Sequence, residues 1–225
     1  MTRIKICGMT SLADAEQAAE LGAWAIGLIH HADSPRFVAP DTAAQIGAAL
    51  KRRCEVVGVF VNATLDEVAR AAENAQLTIL QLHGDEGTEF CEEAARRTGA
   101  KVMKAFQVRD GGDVRGAEAY RTDFHLFDAY STDLRGGTGQ SFDWGLLGER
   151  RSQIPMVLSG GLTPGNVAEA AAAAHPFAVD VVSGVEAEPG RKDPRKVEAF
   201  FEALGVTGPE PAPGPTAAEK EGMAG

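Results

Sequence analysis

Short apolar runs alternate along this chain with amphipathic, alanine-rich stretches, and the alternation repeats eight times. The runs are IKIC (4–7), AIGLI (25–29), EVVGVF (55–60), TILQL (78–82), KVMKAF (101–106), HLFD (125–128), IPMVLS (154–159) and VDVVS (179–183). Helical spacing follows them in SLADAEQAAELG, APDTAAQIGAALKRR, TLDEVARAAENA, DEGTEFCEEAARRTG, TPGNVAEAAAAA and DPRKVEAFFEAL, with weaker patterns near 112–121 and 143–150. Thr64 before LDEVARAAE reads as an N-cap and Gly99 after EEAARRT as a C-cap. Strands joined by helices pair in parallel, because a parallel neighbour needs a crossover. Eight units of about 28 residues fit an α/β fold of the (β/α)₈ barrel type. An open doubly wound sheet is the poorer fit, since it typically uses about five to seven strands. The pattern stops near residue 204; the segment 205–225, rich in Pro, Gly, Ala and Glu, cannot bury a face and is expected to be a disordered tail. The expectation is one barrel domain over 1–204, then the tail.

Composition narrows the partners. Thirty-two acidic against 22 basic side chains give a net charge of −10, which argues against a nucleic-acid backbone or an anionic membrane as partner. An anionic small molecule stays open, because a local set of backbone N–H groups can hold it. No segment approaches the roughly 20 apolar residues of a membrane span, and the N-terminal stretch turns polar too early for a signal peptide, so a cytoplasmic location is expected. Cys7, Cys54 and Cys91 are odd in number and widely spaced, as reduced thiols are.

In a (β/α)₈ barrel the reactive groups stand at the C-terminal ends of the strands. The polar residues there are Cys7 after the first run, His83 after the fourth, Asp128 after the sixth, Ser159 with Gly160 and Gly161 after the seventh, and Asp180 with Ser183 and Gly184 at the eighth. A lone strand cysteine is more often core than catalyst, and an aspartate can be a cap or an ion-pair partner. Position at a strand end raises both. SGG after the seventh strand and SGVE after the eighth leave backbone N–H groups open to an anion, the second by opening a short extra helix, so Gly160, Gly161, Ser183 and Gly184 are assigned to phosphate.

The motifs KICGMT, SPR (34–36), QLHGDE (81–86), LFDAYS (126–131) with GGTG (136–139), LSGGLTPGNV (158–167) and DVVSGVE (180–186) together resemble the phosphoribosylanthranilate isomerase family of tryptophan biosynthesis. The resemblance runs from about residue 3 to 204. His30 and His31 stand where that family more often has aromatic residues. The resemblance implies a cofactor-free Amadori rearrangement of an aminoaldose phosphate to an aminoketose phosphate, catalysed by a monomer or homodimer. Such a reaction needs an acid to open the furanose ring and a base to take the C2′ proton. The resemblance makes Asp128 the acid and Cys7 the base. A thiol with an ordinary pKa of about 8.5 serves as a base only where its surroundings favour the thiolate. Lys5 lies two residues away on the same strand face. It is read as the ion-pair partner of a buried carboxylate such as Asp180 rather than as a dedicated tuner of that thiol. Arg36 resembles the residue that holds the anthranilate carboxylate, a task suited to a guanidinium fork. Asp180 and Gly137 join the substrate-binding set, Gly137 within DLRGGTGQSF (133–142), which is expected to act as a mobile cover.

Two other readings stand beside this one. A metal-dependent sugar-phosphate epimerase would use His30 or His31, His83, Asp128 and Asp180 as ligands and leave Cys7 without work. A non-catalytic barrel would bind a phosphorylated metabolite without turnover.

Overall fold

The computed structural model describes residues 2–128, 144, 147, 150–206 and 208. Strands β1 (Arg3–Cys7), β2 (Ala25–Ile29), β3 (Glu55–Phe60), β4 (Ile79–Leu82), β5 (Lys101–Gln107), β6 (Phe124–Asp128), β7 (Met156–Ser159) and β8 (Ala178–Val181) pair in parallel, in chain order, and close on themselves as a barrel. Outside them run α1 (Leu12–Glu20), α2 (Pro40–Leu50), α3 (Leu65–Asn74), α4 (Thr88–Thr98), α5 (Gly111–Gly116), α6 (Val167–Ala174) and α7 (Pro194–Ala203). Thr64 and Glu67 form a reciprocal capping box at the start of α3, and Gly99 ends α4 at φ 70°.

Side chains alternate between two separate cores, as the period of two along each strand requires. Ala25, Val57, Ile79, Met103, Leu126, Val157 and Ala178 fill the barrel interior, closed at its base by Trp24, Phe124 and Phe177. The other face of each strand, carrying residues such as Ile4, Ile26, Val56, Leu80, Phe127 and Val179, packs against the helices. Lys5, Gln81, Ser159 and Asp180 share the inward parity one or two steps above the apolar floor and are all buried. The interior thus turns from apolar to polar towards the C-terminal mouth.

The structure departs from the sequence pattern in physically simple ways. β7 begins at Met156 rather than 154 because Pro155 has no N–H for the ladder, although its carbonyl accepts from His125 N at 3.0 Å. The weak pattern near 112–121 yields only six residues of α5, three of them glycine, then a 3₁₀ turn over Ala117–Ala119. The expected extra helix after β8 is a single 3₁₀ turn, Ser183–Val185. It leads into an unforeseen antiparallel hairpin of β9 (Glu186–Glu188) and β10 (Arg191–Lys192). The 133–142 segment with Gly137, most of the 143–150 pattern and all of the tail but Gly205, Val206 and Gly208 lie outside the described residues.

Candidate active site

The parity that fills the barrel also aims the reactive groups. Cys7, Asp128, Ser159 and Asp180 share the inward parity near the top of β1, β6, β7 and β8, and the register pairs Asp128 with Ser159 and Lys5 with Asp180. A pocket of about 140 Å³ is lined by Asp128, Ser159, Gly160, Gly161, Asp180 and Ser183, among others. Residues from three separate strand ends therefore meet at one hole.

Cys7 is 3% exposed. Its sulfur has room because β2 offers Gly27 opposite it, where an added Cβ would stand 2.4 Å from Sγ. Below it Lys5 and Asp180 form a buried ion pair at 2.9 Å, and Ser159 Oγ donates to the other Asp180 oxygen at 3.4 Å. Burial works against the charge on Lys5, yet Asp180 and Cys7 outweigh it and hold the lysine pKa above its ordinary value. Burial is also the largest influence on Cys7 and pushes the thiol up; Lys5 pulls it back, Asp180 adds to the rise and Lys192 lowers it again. The surroundings taken together do not favour the thiolate: burial outweighs the pull of Lys5 and holds the thiol pKa above its ordinary value.

Asp128 is one-fifth exposed, and His83 Nε2 stands 3.6 Å from its Oδ2. Gln81, buried on β4, reaches the other ring nitrogen of His83 at 2.9 Å, which fixes the orientation of the ring. Arg36 lies across the residue that follows Cys7: an added Cβ at Gly8 would be 3.0 Å from Arg36 Cδ, and Gly8 has φ 77°. Its Nε and Nη2 grip Glu186 through contacts of 2.8, 3.1 and 2.7 Å. That grip uses one side of the guanidinium and leaves the Nη1/Nη2 end as a second two-donor edge, the shape that receives a carboxylate. The same Glu186 takes Lys192 at 3.2 Å.

The glycines after β7 and β8 meet the demands of close approach. Gly160 and Gly161 have φ of 99° and 63°, and an added Cβ on Gly184 would stand 1.9 Å from Leu162 O. The two loops can touch backbone to backbone only without a side chain there.

Sequence reasoning brought Cys7, Asp128, Asp180, Gly160, Gly161, Ser183, Gly184 and Arg36 to this end of the barrel. It missed Gly27, Gln81, Glu186 and Lys192, and gave His83, which stands beside Asp128, no role in the isomerase reading. The ligand set of the epimerase reading does not assemble. Asp180 is engaged by Lys5, His30 stacks on Phe60 at 5.1 Å, and among the described residues no three His, Cys, Asp or Glu side chains converge to hold a metal ion. Also among the described residues, no helix is long and apolar enough to cross a membrane.

Comparison with known proteins agrees over nearly the whole barrel. The sequence profile described as N-(5'phosphoribosyl)anthranilate (PRA) isomerase matches residues 4–203. The N-(5'-phosphoribosyl)anthranilate isomerase of Geobacter metallireducens is 46% identical over 201 residues, 89% of this chain and 98% of that protein. The crystal structure of phosphoribosyl anthranilate isomerase from Thermotoga maritima superimposes with a TM-score of 0.81 at 40% identity, covering 90% of this chain and 98% of that one. A phosphoribosyl anthranilate isomerase in complex with reduced 1-(o-carboxyphenylamino)-1-deoxyribulose 5-phosphate gives 0.80 at 39% identity, covering 92% and 100%.

Proposed function

The chain belongs to the N-(5'-phosphoribosyl)anthranilate isomerase family, and from that premise we propose that Cys7 and Asp128 are the base and the acid of its reaction. It is an aldose–ketose isomerase of tryptophan biosynthesis, converting N-(5'-phosphoribosyl)anthranilate to 1-(2-carboxyphenylamino)-1-deoxyribulose 5-phosphate. Asp128 donates its proton to the furanose ring oxygen, the C1′–O bond breaks, and the anthranilate nitrogen becomes an iminium. The Cys7 thiolate then removes the C2′ proton, and the electron pair of that C–H bond flows to the iminium to give an enolamine. Ketonisation yields the product. The iminium is a cation beside Cys7, so the thiolate is favoured when the base is needed, against the burial that otherwise keeps the thiol protonated. The reaction changes no net proton count: the thiol formed and the carboxylate spent are reset by one proton transfer, and no cofactor enters.

The observation that carries this reading is the common inward parity of Cys7 and Asp128 at two strand ends of the same barrel mouth, where Asp128 lines a pocket with Ser159, Gly160, Gly161 and Ser183. Gly160, Gly161, Ser183 and Gly184 take the phosphate, the open edge of Arg36 takes the anthranilate carboxylate, and Asp180 lines the floor as partner of Lys5. Gly137 belongs to the proposed substrate-binding set. The enzyme works in the cytoplasm as a monomer or homodimer. The test is turnover of freshly generated phosphoribosylanthranilate, read as loss of its fluorescence, with EDTA present. Undiminished turnover is expected; turnover abolished by EDTA and restored by a divalent cation would overturn the reading.

A further inference from the structure

Glu186 is a buried carboxylate held by two cations at once. Its Oε2 accepts from Arg36 Nη2 at 2.7 Å, while its Oε1 accepts from Arg36 Nε at 2.8 Å, from Lys192 Nζ at 3.2 Å and from Gly190 N at 3.3 Å. Burial works against the charge on Glu186, yet Arg36 and Lys192 outweigh it and hold the carboxyl below its ordinary range. The Lys192 side chain is 1% exposed, and its Nζ also donates to Val182 O at 3.2 Å. Burial draws the lysine down from its ordinary 10.5, and Glu186 works against that fall.

The charges of this cluster do not cancel. Arg36 and Lys192 bring two positive charges and Glu186 one negative. Two further charged groups bond to its backbone and add one charge of each sign: Asp14 accepts from Lys192 N at 3.2 Å, and Lys196 donates to Glu186 O at 2.7 Å. One positive charge is therefore left over. Arg36 carries it to the barrel mouth, because its Cδ lies against Gly8, the residue after Cys7, where an added Cβ would meet it at 3.0 Å. A single carboxylate seated on the open Nη1/Nη2 edge brings the cluster to neutrality. Without Lys192 the same carboxylate would join a pair that is already neutral and leave a net negative charge among buried groups, which is costly where polarity is low.

We propose that Lys192 is a specificity-determining residue for the reaction, acting through Arg36: it offsets the charge of Glu186, so that Glu186 orients the guanidinium fork without cancelling it and the site selects a ligand bearing one carboxylate. The inference rests on Arg36 receiving the anthranilate carboxylate. The β9–β10 hairpin supplies both Glu186 and Lys192 and is tied to the β1–α1 loop by the Thr10 hydroxyl, which donates to Gly190 O. It is then a support of the substrate site that lies outside the eightfold repeat.

The experiment uses two probes made by reductive amination of ribose 5-phosphate, one with anthranilate and one with aniline, which differ only in the carboxylate. Their dissociation constants are measured by calorimetry on the wild type, Lys192→Met, the Lys192→Met/Glu186→Gln double variant and Arg36→Ala. The wild type should favour the anthranilate probe by about thirtyfold or more. Lys192→Met should weaken the anthranilate probe about tenfold and leave the aniline probe within about threefold. The double variant again has one positive charge left over, on Arg36, so its preference should return to within about threefold of the wild type. Because it removes both buried charges together, it decides the matter if Lys192→Met does not fold. Equal weakening of both probes in folded Lys192→Met, weakening of neither, or a double variant without the preference overturns the proposal. Arg36→Ala should bind the two probes alike. If it keeps the wild-type preference, the carboxylate assignment to Arg36 falls and the proposal with it; a preference lost there but unchanged in Lys192→Met overturns the proposal alone.

Discussion

A methyl group on Gly27 would lie 2.4 Å from the Cys7 sulfur, well inside contact distance, so the room for the thiol is made on the neighbouring strand. Gly27→Ala should therefore move the sulfur rather than unfold the barrel. We expect kcat to fall about tenfold or more, since small misplacements of a reacting group are costly, and stability to drop by roughly 1–3 kcal/mol from overpacking. Unchanged kcat in a folded Gly27→Ala protein would show that the sulfur position does not limit the rate. This glycine could not be read as functional in the sequence, because its meaning depends on the register that sets it opposite Cys7. Cys7 and Asp128 were legible because each ends an apolar run. Glu186 and Lys192 were not, because they belong to a hairpin too short to leave a periodic signal.

The β4–α4 connection is held from three sides by one buried carboxylate. Glu86 accepts from Asn62 N and Gly84 N, both at 2.8 Å, and pairs with Lys104 Nζ at 3.1 Å; the lysine also donates to Leu82 O and Gly84 O. This links the ends of β3, β4 and β5 beside His83. Lys104→Met leaves an uncompensated buried carboxylate and should cost about 3–5 kcal/mol in urea unfolding. A loss below about 1 kcal/mol would mean that water or another group replaces the lysine. At this scale the repeat was readable wherever the helices were long and alanine-rich. It blurred at α5, where three glycines in six residues weaken the helix, and at the start of β7, where Pro155 cannot join the ladder.

The closed barrel shields groups that prefer to be charged. His125 is buried between β6 and its neighbours and His30 is packed on Phe60; burial pushes both down to about 4. Between pH 4 and 6.5 the unfolded chain then binds protons that the native protein refuses, so stability rises with pH across that window. Going from pH 7 to 5 should cost on the order of 2 kcal/mol for each histidine in urea unfolding, and a midpoint unchanged over that range would contradict their burial as neutral rings. Closure also sets Cys7 on β1 and Asp128 on β6, strands that are not neighbours, around the same mouth, an arrangement that no local stretch of sequence contains. The most direct test of that pairing is steady-state turnover of phosphoribosylanthranilate by folded Cys7→Ala and Asp128→Asn beside the wild type. The account predicts a loss of at least about a hundredfold in kcat for each, with KM within about threefold. Near-normal kcat in either variant would contradict its role as base or acid.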